Sequence, residues 1–202
     1  MTHLEQVEKK LLDIFGHKTK GFFVDVGAHD GISINNTKML ESLGWEGICI
    51  EPHPKVFQRL IQNRKCKSVN CAVWNENTKV KFLVLTGPTE MLSGIYESYD
   101  PKHYQRIQHE LRRDGGTSDL IEIEALKFES IVQNKNIDFM SIDTEGSELQ
   151  ILQKIDFENY NIDLICVENN FFESKFEEFL VTKGYYFHSN VGIDYFFKKN
   201  PK

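Results

Sequence analysis

Residues 22–31 read FFVDVGAHDG. An apolar run carries Asp25 near its end, a glycine-punctuated turn follows, and a helical pattern comes after the turn. This is the strand–loop–helix opening of a nucleotide-binding α/β unit. A strand buried on both faces must be almost wholly apolar, and Phe22 to Val26 is apolar apart from Asp25. Gly27 permits a tight turn, and Gly31 is expected to let a ligand approach the start of the following helix. The spacing is G-x-x-x-G, not the G-x-G-x-x-G of a pyrophosphate loop. An acidic side chain two residues before the first glycine suits a ligand carrying an ammonium group and no phosphate.

Working outward, helical spacing of Leu4, Val7, Leu11 and Ile14 predicts an amphipathic helix over 3–16. After the loop, a helix is expected from Ser33 to Leu43, stopped by Gly44. A strand over Gly47 to Ile50 ends in Glu51-Pro52, and Pro54 opens the next helix. A third strand is expected over Ser68 to Val73 and another over Val80 to Leu85. Later strands fall at Leu120 to Phe128, Ile137 to Ile142 and Ile162 to Val167, each followed by a helical pattern. Tyr185 to Ser189 and Ile193 to Phe197 close the chain as a hairpin. This alternation predicts an α/β, Rossmann-like fold: a seven-stranded, mostly parallel sheet, helices on both faces, and an antiparallel C-terminal hairpin.

The 202 residues fit one domain, and the net charge of −6 argues against a nucleic-acid partner held by overall charge. No apolar run is long enough to span a bilayer, and the first residues lack a signal-peptide layout. A cytoplasmic location is expected, with Cys49, Cys71 and Cys166 as buried free thiols. Residues 87–119 break the alternation. Asp100-Pro101 opens a helix there, with Lys102, His103, Arg106, His109, Arg112 and Arg113 around a stripe of Tyr104, Ile107 and Leu111. The segment reads either as an insertion over the active-site end of the sheet or as a solvated surface helix.

Ligands of open α/β sheets sit outside the carboxyl ends of the strands. Four strand ends here are acidic: Asp25, Glu51, Asp143 and Glu168. Glu51 lies 24 residues after Gly27, where a carboxylate accepts hydrogen bonds from a ribose diol. Pro52 follows it. Ala72 and Val73 are placed to flank an adenine ring. Asp25, Gly27, Ala28 and His29 would then face the opposite end of the ligand. His29 is either a base or a surface group, and Glu148 reads as a cap on its helix.

The stretch GFFVDVGAHDGISINNTKMLESLGWEGICIEPHP (residues 21–54) and IDFMSIDTEGSELQIL (residues 137–152) resemble the FkbM family of S-adenosylmethionine (SAM) methyltransferases. The resemblance spans about residues 20–170. It implies a class I methyltransferase fold, SAM as methyl donor, and O-methylation of a sugar, natural product or lipid. A small-molecule or oligosaccharide acceptor is implied, and fusion to or action with glycosyltransferases is among the expectations. Two readings remain for Asp143, Glu168 and Asn169. In one, they form a set of oxygen ligands like the Mg²⁺ site of catechol-type O-methyltransferases. In the other, Asp143 is itself the base and Glu168-Asn169 caps the last helix. The basic segment over 87–119 is expected to admit a polar or anionic acceptor, such as a nucleotide sugar or phosphorylated glycan. Two other classes compete. An NAD-dependent dehydrogenase is disfavoured by the loop spacing and the hairpin, and a non-catalytic SAM-binding module by Asp143 and Glu168.

Overall fold

The computed structural model describes residues 1–16 and 18–201. A seven-stranded sheet forms its centre. The strands are β1 (Phe22–Val26), β2 (Glu46–Ile50), β3 (Lys67–Val69), β8 (Asn136–Ile142), β9 (Asn161–Glu168), β10 (Tyr185–Val191) and β11 (Asp194–Lys199). Their spatial order is β10-β11-β9-β8-β1-β2-β3. All neighbours run parallel except β11, which is antiparallel to both β9 and β10. The expected α/β sheet and closing hairpin are therefore present.

Side chains alternate across the central strands, and each face takes its own helices. Phe23, Cys49 and Phe139 point to the side covered by α1 (His3–Phe15), α2 (Lys38–Ser42) and α3 (Pro54–Asn63), where Val7, Leu11, Leu40 and Leu60 meet them. Val24, Val26, Ile48, Ile50 and Met140 point to the other side. There they meet Phe128 and Ile131 of α5 (Phe128–Ile131), Ile151 and Leu152 of α6 (Glu148–Lys154), and Phe176 and Leu180 of α7 (Lys175–Thr182). Thr2 and Glu5 form a reciprocal capping box at the start of α1. Trp45 packs edge-on against Phe15 and donates its indole N–H to the Lys18 carbonyl. Among the described residues, no helix is long and apolar enough to cross a membrane.

Two expectations change here. The helix placed over Ser33 to Leu43 is only five residues long, Lys38–Ser42. Asp30 accepts the Ile32 and Ser33 amides, and Asn35 accepts the Thr37 and Lys38 amides. Short polar side chains thus hold these amides in turns that an α-helix cannot use. The strand placed over Ser68 to Val73 is split in two. β3 ends at Val69, and Asn70 donates its side-chain amide to the Glu51 and Pro52 carbonyls. The chain then crosses into a second sheet, of order β4-β7-β5-β6, in which β4 (Ala72–Val73) runs parallel to β7 (Ser118–Leu126).

That second sheet is what residues 87–119 are built on. β5 (Thr78–Leu85) pairs antiparallel with β7, and β6 (Gly94–Ile95) pairs with β5. The helix expected at Asp100-Pro101 forms as α4 (Pro101–Asp114), with Asp100 accepting the Lys102 amide. Its Ile107 is fully buried against Leu83, Leu85 and Leu92. Burying such a side chain contributes roughly 1.5–3 kcal/mol. The segment is thereby anchored over the carboxyl ends of β1, β2 and β8.

Candidate active site

Strand ends, rather than strand interiors, build the site. Gly27 has φ +86°, and a Cβ there would lie 1.6 Å from the Asp143 carbonyl oxygen. Only glycine lets the loop after β1 touch the end of β8 so closely. This contact joins the Gly27 loop to Asp143, and between them and the end of β2 opens a cavity enclosing about 660 Å³ of space, part of it open to solvent. Gly27, His29, Glu51, Pro52, His53, Ala72, Val73, Asp143 and Glu145 all line it. The 3₁₀ turn at Gly87–Leu92 closes one side through Glu90 and Met91, and Glu90 is paired with Arg59 of α3.

Glu51 is 5 % exposed. Its two oxygens accept the His29 and His53 amides, at 2.8 and 2.7 Å. Each oxygen keeps a lone pair for a ligand hydroxyl. Burial pushes its carboxyl up to about 7, although the two amides oppose that rise. His53, also buried, caps α3 by accepting the Val56 amide.

Opposite Glu51, carboxylate oxygens of Asp143, Glu145 and Glu168 come within 4.8 Å of one another. Glu145 enters this group because its backbone is in the left-handed region, φ +58°. Burial raises all three carboxyls, and repulsion from Asp143 adds to the rise of Glu145 and Glu168; Asp143 itself is pushed up to about 8 by burial and then by Asp194 and Glu148, against a lowering hydrogen bond with Glu168. Such a group favours either shared protons or a cation. Glu148 holds the turn in place, one oxygen accepting from the Thr144 amide, the Thr144 hydroxyl and the Gly146 amide.

Residues 25–199 match the family model described as the methyltransferase FkbM domain. The chain belongs to the FkbM methyltransferase family. The family is one of SAM-dependent methyltransferases. A solved FkbM methyltransferase from Methylobacillus flagellatus matches the fold with a TM-score of 0.52 at 13 % identity. The match covers 89 % of this chain, and this chain spans 44 % of that one. A METTL16 MTase domain matches with a TM-score of 0.51 at 11 % identity, covering 96 % of this chain and 79 % of that one. At these identities the likeness is one of fold. No curated protein sequence matches the chain.

In this FkbM domain several expected site residues take other work. Asp25 is engaged through one of its two carboxylate oxygens. Its Oδ2 accepts from Asn35 Nδ2 at 2.8 Å and Thr37 Oγ1 at 2.7 Å, and Arg64 stands 3.9 Å away. Burial raises the Asp25 carboxyl, and Arg64 opposes the rise. Arg64 itself is fully buried and also binds Glu41, Asn35 and Thr37. The result is a polar knot beneath the loop, so Asp25 shapes the cofactor wall from behind. Ala28 faces a small adjoining cavity together with Asp25 and Asn35. Gly31 lies off the main cavity, and a Cβ there would strike Arg64 and Leu60. It makes room for the arginine, not for a ligand.

Asn169 also departs from the expected ligand set. Its Oδ1 accepts the Glu173 amide and its Nδ2 donates to the Glu173 carbonyl, which fixes the turn before α7. The oxygen donors that could hold a divalent cation are instead Asp143, Glu145 and Glu168, and three carboxylate oxygens suit Mg²⁺ or Ca²⁺. The sequence reading missed Arg64, Asn35 and Thr37 as loop supports. It also missed His103, whose i, i+4 spacing to Ile107 was the available signal.

Proposed function

We propose that this FkbM domain transfers the methyl group of SAM to a hydroxyl of a sugar, free or within a glycan. The observation that carries this reading is the position of Asp143, on the lining of the same cavity as Glu51 and beside two further carboxylates. Bound SAM supplies a methyl group made electrophilic by its sulfonium. Glu51 accepts the ribose hydroxyls, and the backbone around Gly27 to His29 borders the methionine end. Ala72 and Val73 bracket the adenine. Asp143 takes the acceptor's proton as the O–CH₃ bond forms and the S–CH₃ bond breaks. Proton transfer to a positioned base contributes about 10²–10⁴-fold, and alignment of the two partners supplies more.

A Mg²⁺-type ion, where the reaction uses one, would be held by Asp143, Glu145 and Glu168 and would polarise the acceptor oxygen. The test is a screen of sugars with deuteromethyl-SAM, read by mass spectrometry, with and without EDTA. Labelled sugar is the expected product. Labelling confined to non-sugar acceptors contradicts the proposal, and full activity in EDTA removes the ion from it.

A further inference from the structure

A second cavity lies between α4 and the turn at 168–176, lined by Asp100, His103, Glu148, Glu168, Phe171 and Glu173 among others. Glu168 belongs to the same carboxylate group as Asp143 and Glu145, which line the cofactor cavity. The carboxylates therefore stand as a wall between the two spaces. On the methyltransferase reading above, we propose that this second cavity receives the acceptor. We further propose that it takes a neutral or amine-bearing polyhydroxylated molecule and turns away phosphorylated or carboxylated ones.

For the site without a bound cation, the charge argument does not depend on protonation. A carboxyl group is negative or neutral, never positive, so Asp100, Glu148, Glu168 and Glu173 repel an anion or leave it unpaired. Lys175 is the one lysine or arginine on the lining, and it is paired with Glu173. None of the α4 cations lines the cavity, although Arg106 is near enough to Glu145 and Glu168 for its charge to act on both. Lys102, Arg106, His109, Arg112 and Arg113 are all exposed. Arg106 is spent on Glu110 and Arg113 on Asp114.

His103 is the second, independent observation. It is 2 % exposed and its ring stacks on Tyr99 at 5.4 Å. Its Nε2 lies 3.2 Å from Glu145 Oε2, yet the alignment is wrong and neither atom has a hydrogen-bond partner. Buried polar atoms left in this way are costly. A hydroxyl answers both, because it donates to the carboxylate and accepts from an imidazole N–H. A fully ionised phosphate or carboxylate oxygen can only accept. Phe171, 42 % exposed and 6.3 Å from the His103 ring, offers an apolar surface for the C–H face of a sugar ring.

The test is NMR titration of ¹⁵N-labelled protein saturated with S-adenosylhomocysteine (SAH), using glucose, glucosamine and glucose 6-phosphate as probes. Glucose and glucosamine are expected to shift the His103 and Phe171 signals. Glucose 6-phosphate should need roughly tenfold or more higher concentration for the same shift. In Glu173→Gln, which releases Lys175, the phosphate should gain roughly threefold. Equal or tighter binding of glucose 6-phosphate in the wild type overturns the charge selectivity. Absence of any shift at His103 and Phe171 with all three probes overturns the cavity assignment. Failure of SAH to saturate the protein at the outset overturns the methyltransferase reading, and this proposal with it.

Discussion

Asp143→Asn lowers methyl transfer by about 10²–10⁴-fold while SAH affinity and melting temperature stay near the wild-type values. The substitution keeps the shape of the side chain and removes only its capacity to take a proton. Asp143 is held by its neighbours through the backbone, its amide donating to the Val26 carbonyl. The loop contact with Gly27 is likewise made by its carbonyl oxygen. Asparagine preserves both. The side chain thus meets the cofactor cavity as a chemical group rather than as a structural one. Single-turnover methyl transfer, with SAH binding measured in parallel, separates the two roles. A variant that keeps wild-type turnover removes Asp143 from the chemistry. One that loses SAH binding and stability as well assigns it to the scaffold.

Glu51→Ala should weaken SAH binding by roughly 10²-fold or more, since two hydrogen bonds to a charged acceptor are worth about 1.5–3 kcal/mol each. Glu51→Gln should lose less, because the amide oxygen still accepts one. The same residue sets a pH dependence whose sign can be worked out. In the folded protein its carboxyl lies at about 7, against an ordinary 4.5. The folded state therefore holds a proton that the unfolded state has released between those values. Stability from this group is complete below pH 4.5 and is lost as pH rises through 7, by about 3 kcal/mol in all. In Glu51→Gln that slope disappears. Ligand binding runs the other way: ribose hydroxyls donate to the ionised form, so SAH binding below pH 7 releases a proton and tightens as pH rises. Urea denaturation against pH checks the first claim, and calorimetry in buffers of different ionisation enthalpy checks the second. A flat stability profile in the wild type would contradict the buried, protonated Glu51.

The sheet was legible in the sequence because each strand carries its own signal. Phe22 to Val26 and Ile137 to Ile142 are apolar runs with an acid at or beside their carboxyl ends, and those ends meet at the cavity. Glu51 could be placed from its spacing to Gly27 for the same reason. The features that escaped depend on contacts distant in the chain. Ser33 to Thr37 has a helical pattern, yet Arg64 and Asp25 draw Asn35 and Thr37 into a buried knot that no local rule shows. Ser68 to Val73 looks like one strand until Asn70 clamps it to Glu51 and Pro52 and passes it to β7. Asn169 sits beside Glu168 like a partner ligand, but folds back on Glu173. Glu145 carries no decisive local signal, and its positive φ brings it into the carboxylate group. His103 was counted among the cations of α4, whereas the register that buries Ile107 also buries it.

The central claim is that the cavity between Gly27, Glu51 and Asp143 is a SAM site, and titration calorimetry of the wild-type protein with SAH and with NAD tests it most directly. SAH should bind saturably with one site per chain, and NAD should give no heat. Heat from NAD with none from SAH would contradict the account.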